Sequence, residues 1–590
     1  MQYNRLFDIV TQRKKEDANS VMLASKVNGN WQTISSGEVW NKAQYLAGGL
    51  LNLQLSKDLT NPELQEKIAI ISPNSPEWVI TDIAVQLTGS VLTPIYPTIS
   101  PSEIAFILNE ANVRILFLAN KELLERFKAV LETITSLKFI FSFDEVDDVP
   151  SWNELIDKKL LPDNHLIDRI NEDTLATIIY TSGTTGDPKG VMLTHKNIVS
   201  NIQDSMPAFT FAIKGEKALS FLPLNHIFEK MVTYLYLQAG ISIYYAESMD
   251  TIGDNLKEVK PLVFSTVPRL LEKVYEKIMA KAIELKGIKR LFFFWALEIG
   301  KRYDNSIEGN FWYRIQLWLA NKIVFNKWRD ALGGNVKAIV TGSAACQERL
   351  IRIFSAAHIT IMEGYGLTET SPVVTVNRYE SDGRRIGSVG ALIQNVEVKI
   401  ADDGEILTRG SNVMLGYFKR PELTNEVLKD GWFYTGDIGE WIDGKFLKLT
   451  DRKKEIFKTS GGKYVAPQVI ENKLKESAFI EQIMVVGADR KFVSALIVPN
   501  FLALKKYLKR HHKVQASTNE EIIAQKEVVA LIQEQVEKMN IHFNHVEQVK
   551  KCCILPNEWS VDSGELTPSL KIKRKVLLQK FSKEIEELYY

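Results

Sequence analysis

Between about Glu66 and Leu118, short apolar runs alternate with stretches of helical period: Ile68-Ala69-Ile70-Ile71, then Pro76 to Leu87, then Val113-Arg114-Ile115-Leu116-Phe117. Strand-length runs spaced by helices predict βα units feeding a mostly parallel sheet. The pattern recurs at Ala176 to Tyr180, which reads as a strand, with Thr194 as the N-cap of a helix through Asn201. The segment between them therefore sits at a strand's carboxyl end, where open α/β sheets bind ligands. At 590 residues the chain exceeds what one hydrophobic core supports, so two or more domains are expected.

That segment reads Tyr180-Thr-Ser-Gly-Thr-Thr-Gly-Asp-Pro-Lys-Gly190. Glycines at 183, 186 and 190 let the backbone turn tightly and bring N–H groups to an anion, while hydroxyls and the Lys189 ammonium add donors. It is a phosphate-holding composition. It is not the P-loop, because Lys189 follows Gly186 by three residues and is itself followed by Gly190.

Lys+Arg 73 against Asp+Glu 72 gives a net charge of +1, which provides no overall field for nucleic acid. Anion binding must be local. Cys346, Cys552 and Cys553 match no zinc or disulfide spacing and point to a reducing compartment. The N-terminal residues lack a signal-length apolar stretch, and no window approaches the ~20 apolar residues that cross a bilayer, so cytoplasmic residence is expected.

After Gly390 the texture changes. Val396, Val398 and Ile400 alternate with polar residues, and Asp402-Asp403-Gly404 and Asp443-Gly444 mark turns, which suggests a small β-rich subdomain over about 390–450. The charged run Asp451-Arg452-Lys453-Lys454-Glu455 reads as a linker to a final α+β piece. The expected division is 1–451 and 452–590, with a hinge near 452–454.

The loop at 180–190 resembles the signature of adenylate-forming (AMP-binding) enzymes, and further segments resemble that superfamily's motifs in serial order. In Ile361-Met-Glu-Gly-Tyr-Gly-Leu-Thr-Glu-Thr-Ser-Pro372 a dinucleotide-binding reading fails, since Glu369 stands where a third glycine belongs. The resemblance places Tyr365 against adenine between Gly364 and Gly366, Thr368 on the α-phosphate, and Glu369 with Thr184 on Mg²⁺. Thr435-Gly436-Asp437 and Asp451-Arg452 resemble the ribose-binding motifs. In Gly564-Glu-Leu-Thr-Pro-Ser-Leu-Lys-Ile-Lys-Arg574, Lys571 takes the position of the catalytic lysine and Arg574 that of the motif's arginine; Ser569-Leu570 replaces the usual Ser-Gly, a form associated with long-chain acyl-CoA synthetases. The implied nucleotide set is Thr181, Ser182, Gly183, Thr184, Thr185, Gly186, Lys189, Gly364, Tyr365, Gly366, Thr368, Asp437, Arg452 and Lys571. The implied fold is α/β: a large N-terminal domain of mostly parallel sheets with helices plus a small β subdomain, and a small mobile α+β C-terminal domain.

The chemistry is demanding because a carboxylate must attack the α-phosphate of ATP, and the two anions repel. Cations and oriented donors lower that barrier, so Glu369 with Mg²⁺, Lys571, Thr184, Thr185 and Thr368 are the expected stabilisers. No Gly-x-Ser-x-Gly elbow or Cys/His constellation suggests a covalent intermediate. The resemblance then implies rotation of the C-terminal domain, with Gly461, Gly462 and Lys463 on the face that receives CoA. Between Asp437 and Asp451 there is no long insertion of the kind that impairs this rotation in fatty acyl-AMP ligases.

Leu222-Pro223-Leu224-Asn225-His226-Ile227-Phe228-Glu229 resembles the acyl-site motif of long-chain synthetases, with His226 beside the reacting carboxylate. Thr341, Gly342 and Ser343, with Gly364, occupy the position of the acyl-site wall. Leu291 to Leu297 and Phe311 to Trp328 are aromatic-rich, with Phe311, Ile315, Leu319 and Ile323 at helical spacing and bases interspersed. Two readings stay open for that segment: a hairpin packed on the catalytic domain, or a peripheral contact on the inner face of a membrane. The expected activity is that of a long-chain fatty acid–CoA ligase using fatty acid, ATP, CoA and Mg²⁺, with a homodimer as a further expectation. The alternatives are a fatty acyl-AMP ligase loading an acyl carrier protein and a medium-chain acyl-CoA synthetase.

Overall fold

The expected strand at 176–180 runs from Leu175 to Thr181 in a seven-stranded sheet. Beside it the strands Val91–Ile95, Lys67–Ile71, Ile115–Leu118 and Phe139–Ser142 all run parallel. The strands 67–71, 91–95 and 115–118 are buried along their whole length, which is why they read as unbroken apolar runs rather than as an alternation. The helix Pro76–Leu87 begins where the Ser75 hydroxyl accepts from Trp78 N and where Pro76 needs no partner for a missing N–H.

A second, nine-stranded sheet has a parallel centre formed by Lys217–Ser220, Ser242–Tyr245, Val263–Thr266, Ala338–Thr341 and Thr360–Gly366. Both large sheets end in antiparallel strands, 189–194 and 416–417 in one, 373–376 and 391–392 in the other. This computed structural model describes residues 3–56, 58–181, 188–305, 309–511, 518–561, 563–567 and 571–590, without the side chains of 510 and 511.

The chain forms two compact units. The larger comprises residues 1–398, 407–434 and 442–447; the smaller comprises 399–406, 435–441 and 448–590. Within 397–452 the expected turns are present: Gly404 (φ 84°) links strands 397–400 and 405–409, and Asp443 (φ 52°) with Gly444 (φ 63°) links strands 432–442 and 446–452. The smaller unit is α+β, with a three-stranded sheet of Ile480–Val486, Val493–Pro499 and Val549–Ile554 and a core including Leu474, Ile483, Leu496, Leu504, Ile532 and Leu577.

The aromatic segment forms the helices Gly287–Lys301 and Phe311–Ala320. Tyr313 Oη donates to Ile299 O at 3.2 Å, tying the start of the second to the end of the first. One face packs on the larger unit through Phe293, Ala296, Leu297, Val324, Phe325 and Trp328. The stripe noted in the sequence lies off that face, with Phe311 and Ile323 exposed. Among the described residues no helix is long and apolar enough to cross a membrane, and the cysteines form no disulfide.

Candidate active site

Thr181 closes one strand and Lys189 opens the next, directly opposite each other in antiparallel register. A Cβ on Gly190 would lie 2.8 Å from Ile178 Cγ2 and 3.1 Å from the Tyr180 ring, so only glycine fits at the foot of this loop. Ser182, Gly183, Thr184, Thr185 and Gly186 lie outside the described residues. The Lys189 ammonium stands 5.2 Å from the centre of the Tyr417 ring. Tyr417 reaches it because the short strand Gly416–Tyr417 pairs with Lys189–Thr194. Its Oη donates to Glu369 Oε1 at 2.8 Å, and Met414 N donates to Glu369 O at 2.9 Å. Burial, and then the Glu369 carboxylate, push the Tyr417 hydroxyl well above its usual range, so it stays a donor.

The 361–372 motif is a strand, Thr360–Gly366, a single 3₁₀ turn, Thr368–Thr370, and a return strand, Val373–Val376. A Cβ on Gly366 would fall 1.7 Å from Pro372 O, an approach no other residue allows. Two amides to which the sequence reading gave no role hold the turn. Asn201 donates to Val373 O at 2.7 Å and accepts from Val373 N, and Asn412 donates to Thr370 O at 2.9 Å. One turn earlier, Asn197 donates to Ser411 O and Val413 O. The helix after the glycine-rich loop thus fixes Tyr365, Thr368 and Glu369 relative to that loop. The legible signal was a pair of amides four apart on a helix otherwise committed to burial.

The acyl-site candidates also converge. Strands 338–341 and 360–366 are parallel neighbours with Thr341 opposite Glu363. A Cβ on Gly342 would meet Gly364 O at 3.4 Å and Phe228 Cζ at 3.9 Å, so this wall is built by small residues. Ser343 turns the chain at φ 69°, and Thr341 Oγ1 is buried without a hydrogen-bond partner among the described residues. His226 caps the helix Ile227–Gln238, its Nδ1 accepting from Phe228 N at 3.2 Å. A neutral imidazole bound in that way carries its proton on Nε2.

Beneath it lies Glu229, to which the sequence reading assigned no role. Its carboxyl is buried and accepts from the hydroxyls of Ser220 and Ser265, which anchors the first helical turn to two strand ends. Burial pushes it up to about 7, against the pull of the two hydroxyls. Glu363, equally unforeseen, accepts from Cys346 N at 2.8 Å and is pushed up to about 8 by burial.

In the smaller unit, Arg452 Nε lies 3.1 Å from Asp437 Oδ1. Lys453 ties their two strands, its N–H donating to Gly436 O and its ammonium reaching Asp403 and Glu405. Asp451 accepts from Arg452 N and Gln468 N, and burial lifts it to about 6. The Lys571 N–H donates to Thr567 Oγ1 and its C=O accepts from Thr567 N. Arg574 is an internal anchor, with Nε donating to Glu455 at 2.9 Å and Nη2 to both oxygens of Glu471 at 2.6 and 2.7 Å. Gly461, Gly462 and Lys463 form an exposed loop between strands 457–458 and 464–465.

Among the described residues no group of three His, Cys, Asp or Glu side chains gathers to hold a metal. One half-buried carboxylate, Glu369, faces the Lys189 and Tyr417 cluster. Mg²⁺ keeps water and binds through one or two carboxylates plus phosphates, so this donor set fits a magnesium ion that arrives with a nucleotide.

A fold of two parallel-centred sheets with a small α+β unit defines the adenylate-forming class. The solved adenylation domain of a carboxylate reductase from Mycobacterium chelonae has it, with a TM-score of 0.80 at 21% identity over 99% of this chain and 91% of that one. The AMP-binding enzyme family matches residues 10–418, and the AMP-binding enzyme C-terminal domain matches 454–590. The long-chain-fatty-acid–CoA ligase FadD15 of Mycobacterium bovis is 31% identical over 100% of this chain and 97% of its own. Long-chain-fatty-acid–CoA ligase 5 of Rattus norvegicus is 33% identical over 96% of this chain and 85% of its own. The chain belongs to the AMP-binding enzymes, among the relatives of the long-chain fatty acid–CoA ligases.

Proposed function

We propose that this chain is an ATP-dependent ligase that activates a long-chain fatty acid as acyl-AMP, releasing pyrophosphate, and then transfers the acyl group to CoA, releasing AMP. The observation that carries the reading is full-length similarity to long-chain fatty acid–CoA ligases. The clustering of Lys189, Tyr417 and Glu369 supports it, since a cation and an oriented carboxylate stand together at the end of the phosphate loop.

In this reading Thr181, Lys189 and residues 182–186 hold the phosphates, Tyr365 lies against adenine, and Thr368 donates to the α-phosphate. Asp437 accepts from the ribose hydroxyls and Arg452 orients that carboxylate. Glu369 and Thr184 hold Mg²⁺, which when bound neutralises charge on the phosphate oxygens. Lys571 stabilises the carboxylate as it approaches phosphorus. His226 stands beside that carboxylate with a proton on Nε2, and the small residues Thr341, Gly342, Ser343 and Gly364 leave room for the chain. A domain boundary at 451/452, with a hinge at 452–454, then brings Gly461, Gly462 and Lys463 to the site, where the CoA thiol attacks the acyl-adenylate.

Cytoplasmic residence, with contact to the inner face of a membrane through residues 289–328, completes the reading. The exposed aromatics of that segment support it; a homodimer rests on the resemblance alone. The test is pyrophosphate–ATP exchange and AMP release across fatty acids from short to very long, with and without CoA. Exchange with long chains and AMP release that needs CoA are expected. No exchange with any fatty acid overturns the proposal.

A further inference from the structure

A lysine and an aspartate are paired deep inside the larger unit. Lys230 Nζ lies 2.5 Å from Asp82 Oδ2, and both side chains are 0% exposed. Asp82 belongs to the helix Pro76–Leu87 and Lys230 to the helix Ile227–Gln238, each buried along nearly its whole length. Two further buried groups close the arrangement. Tyr234 Oη donates to Asp82 Oδ2 at 2.8 Å, and Gln86 Nε2 donates to Asp82 Oδ1 at 2.8 Å and to Tyr234 Oη at 3.0 Å. The ammonium also faces the rings of Trp78 and Tyr234, at 5.3 and 5.8 Å.

Taking two charges out of water costs about as much as their attraction returns, and an apolar pair of similar volume holds two helices together equally well or better. What an apolar pair does not supply is register. A carboxylate with three directed donors fixes where one helix lies along the other, whereas apolar side chains repack. Register matters here because of what the second helix carries. His226 is its N-cap, and Lys230 stands one turn on, its N–H donating to His226 O at 3.1 Å. Glu229 ties that first turn to the strand ends at Ser220 and Ser265; Lys230 ties it to a neighbouring helix. The charge of Lys230 also reaches His195, which opens the helix after the glycine-rich loop and is held down to about 3 by burial first and then by Arg5 and Lys230.

We propose that Asp82 and Lys230 are positioning residues for the acyl site, acting through the helix Ile227–Gln238 to set the place of the His226 imidazole. This rests on the reading of His226 as the group beside the fatty carboxylate. A shift of a reacting group by ~1 Å costs up to about 10²-fold in rate, so the pair acts on turnover more than on stability.

The experiment compares the full chain with the double variant Asp82→Asn/Lys230→Met, which removes both charges, keeps their volumes and leaves a polar partner for Gln86 and Tyr234. Its melting temperature should match or exceed that of the parent, while kcat for fatty-acid-dependent pyrophosphate exchange falls by roughly tenfold or more and the KM for ATP stays nearly the same. Lys230→Met alone leaves the carboxylate unpaired and should melt well below both. A crystal structure of the double variant should show the His226 ring displaced. Parental kcat in a stable double variant overturns the proposal, and so does an unmoved His226. A loss of activity matched by a fall in melting temperature also overturns it, because the pair is then a stabilising contact. If the double variant does not fold, Tyr234→Phe decides: it keeps the ion pair, takes one donor from the carboxylate and should lower kcat severalfold, and parental kcat overturns the proposal. A parent that shows no exchange with any fatty acid refutes the assigned activity, and the displacement of His226 still decides the positioning role.

Discussion

Tyr417 Oη donates to Glu369 Oε1 at 2.8 Å while the ring of the same tyrosine lies 5.2 Å from Lys189 Nζ. One side chain thus meets both a cation and a carboxylate, its hydroxyl bonding the carboxylate and its ring facing the ammonium. Tyr417 is a positioning residue in this arrangement, acting through Glu369.

Replacing Tyr417 by Phe keeps the ring under Lys189 and removes the bond to the carboxylate. A hydrogen bond to a charged group is worth about 1.5–3 kcal/mol, so the Mg²⁺ or Mg-ATP concentration for half-maximal exchange should rise by roughly tenfold or more, with a smaller change in kcat. Glu369→Gln should shift the metal titration further. Identical titrations for parent and both variants would remove Glu369 from the metal site.

Lys571→Ala should slow adenylation by about 10²–10³, the size expected for losing one preorganised donor. Thioester synthesis from supplied acyl-AMP should be nearly unaffected. Equal damage to both half-reactions would refute the proposed domain rotation.

Arg574→Met leaves Glu455 and Glu471 facing each other in a buried site. Breaking a buried ion pair in this way costs about 3–5 kcal/mol, and the smaller unit should become protease-sensitive well below the melting temperature of the parent. Adding Glu471→Gln should recover part of the loss. Unchanged proteolysis in the single variant would mean that the anchor is dispensable.

Folding lifts the Glu229 carboxyl from its ordinary 4.5 to about 7, chiefly by burial. The folded chain therefore binds a proton that the unfolded chain has released. The associated stabilisation is fully present below pH 4.5 and is lost as pH rises toward 7. Glu229→Gln, whose carbonyl oxygen can accept from one of the two serines while its amide donates to the other, should flatten the fall in stability across that window by about 3 kcal/mol and melt higher than the parent at pH 8. Parallel stability curves for parent and variant would show that Glu229 does not titrate there.

Much of the large unit was legible in the chain because parallel strands buried on both faces must be written as unbroken apolar runs, as in Ile68 to Ile71. The glycine-rich loop and the 361–372 motif were legible for a different reason. Their constraints are local: Gly366 is required by Pro372, six residues on, and Gly190 by the hairpin it closes. The contacts that assemble the site were not legible. Asn201 meets Val373 across 172 positions, Tyr417 meets Glu369 across 48, and Arg574 meets Glu471 across 103. No periodicity records such pairs.

The amino-acid order alone determined the βα frame and the serial motifs that carry the family resemblance, since strand burial, tight turns and donor composition are properties of short segments. Tertiary structure alone decided that an amide on the helix after the glycine-rich loop holds the turn between Gly366 and Val373, that Tyr417 meets both Lys189 and Glu369, and that one face of the aromatic hairpin is left uncovered. Those outcomes depend on which elements come to lie side by side, and that is set by the packing of the whole chain at once.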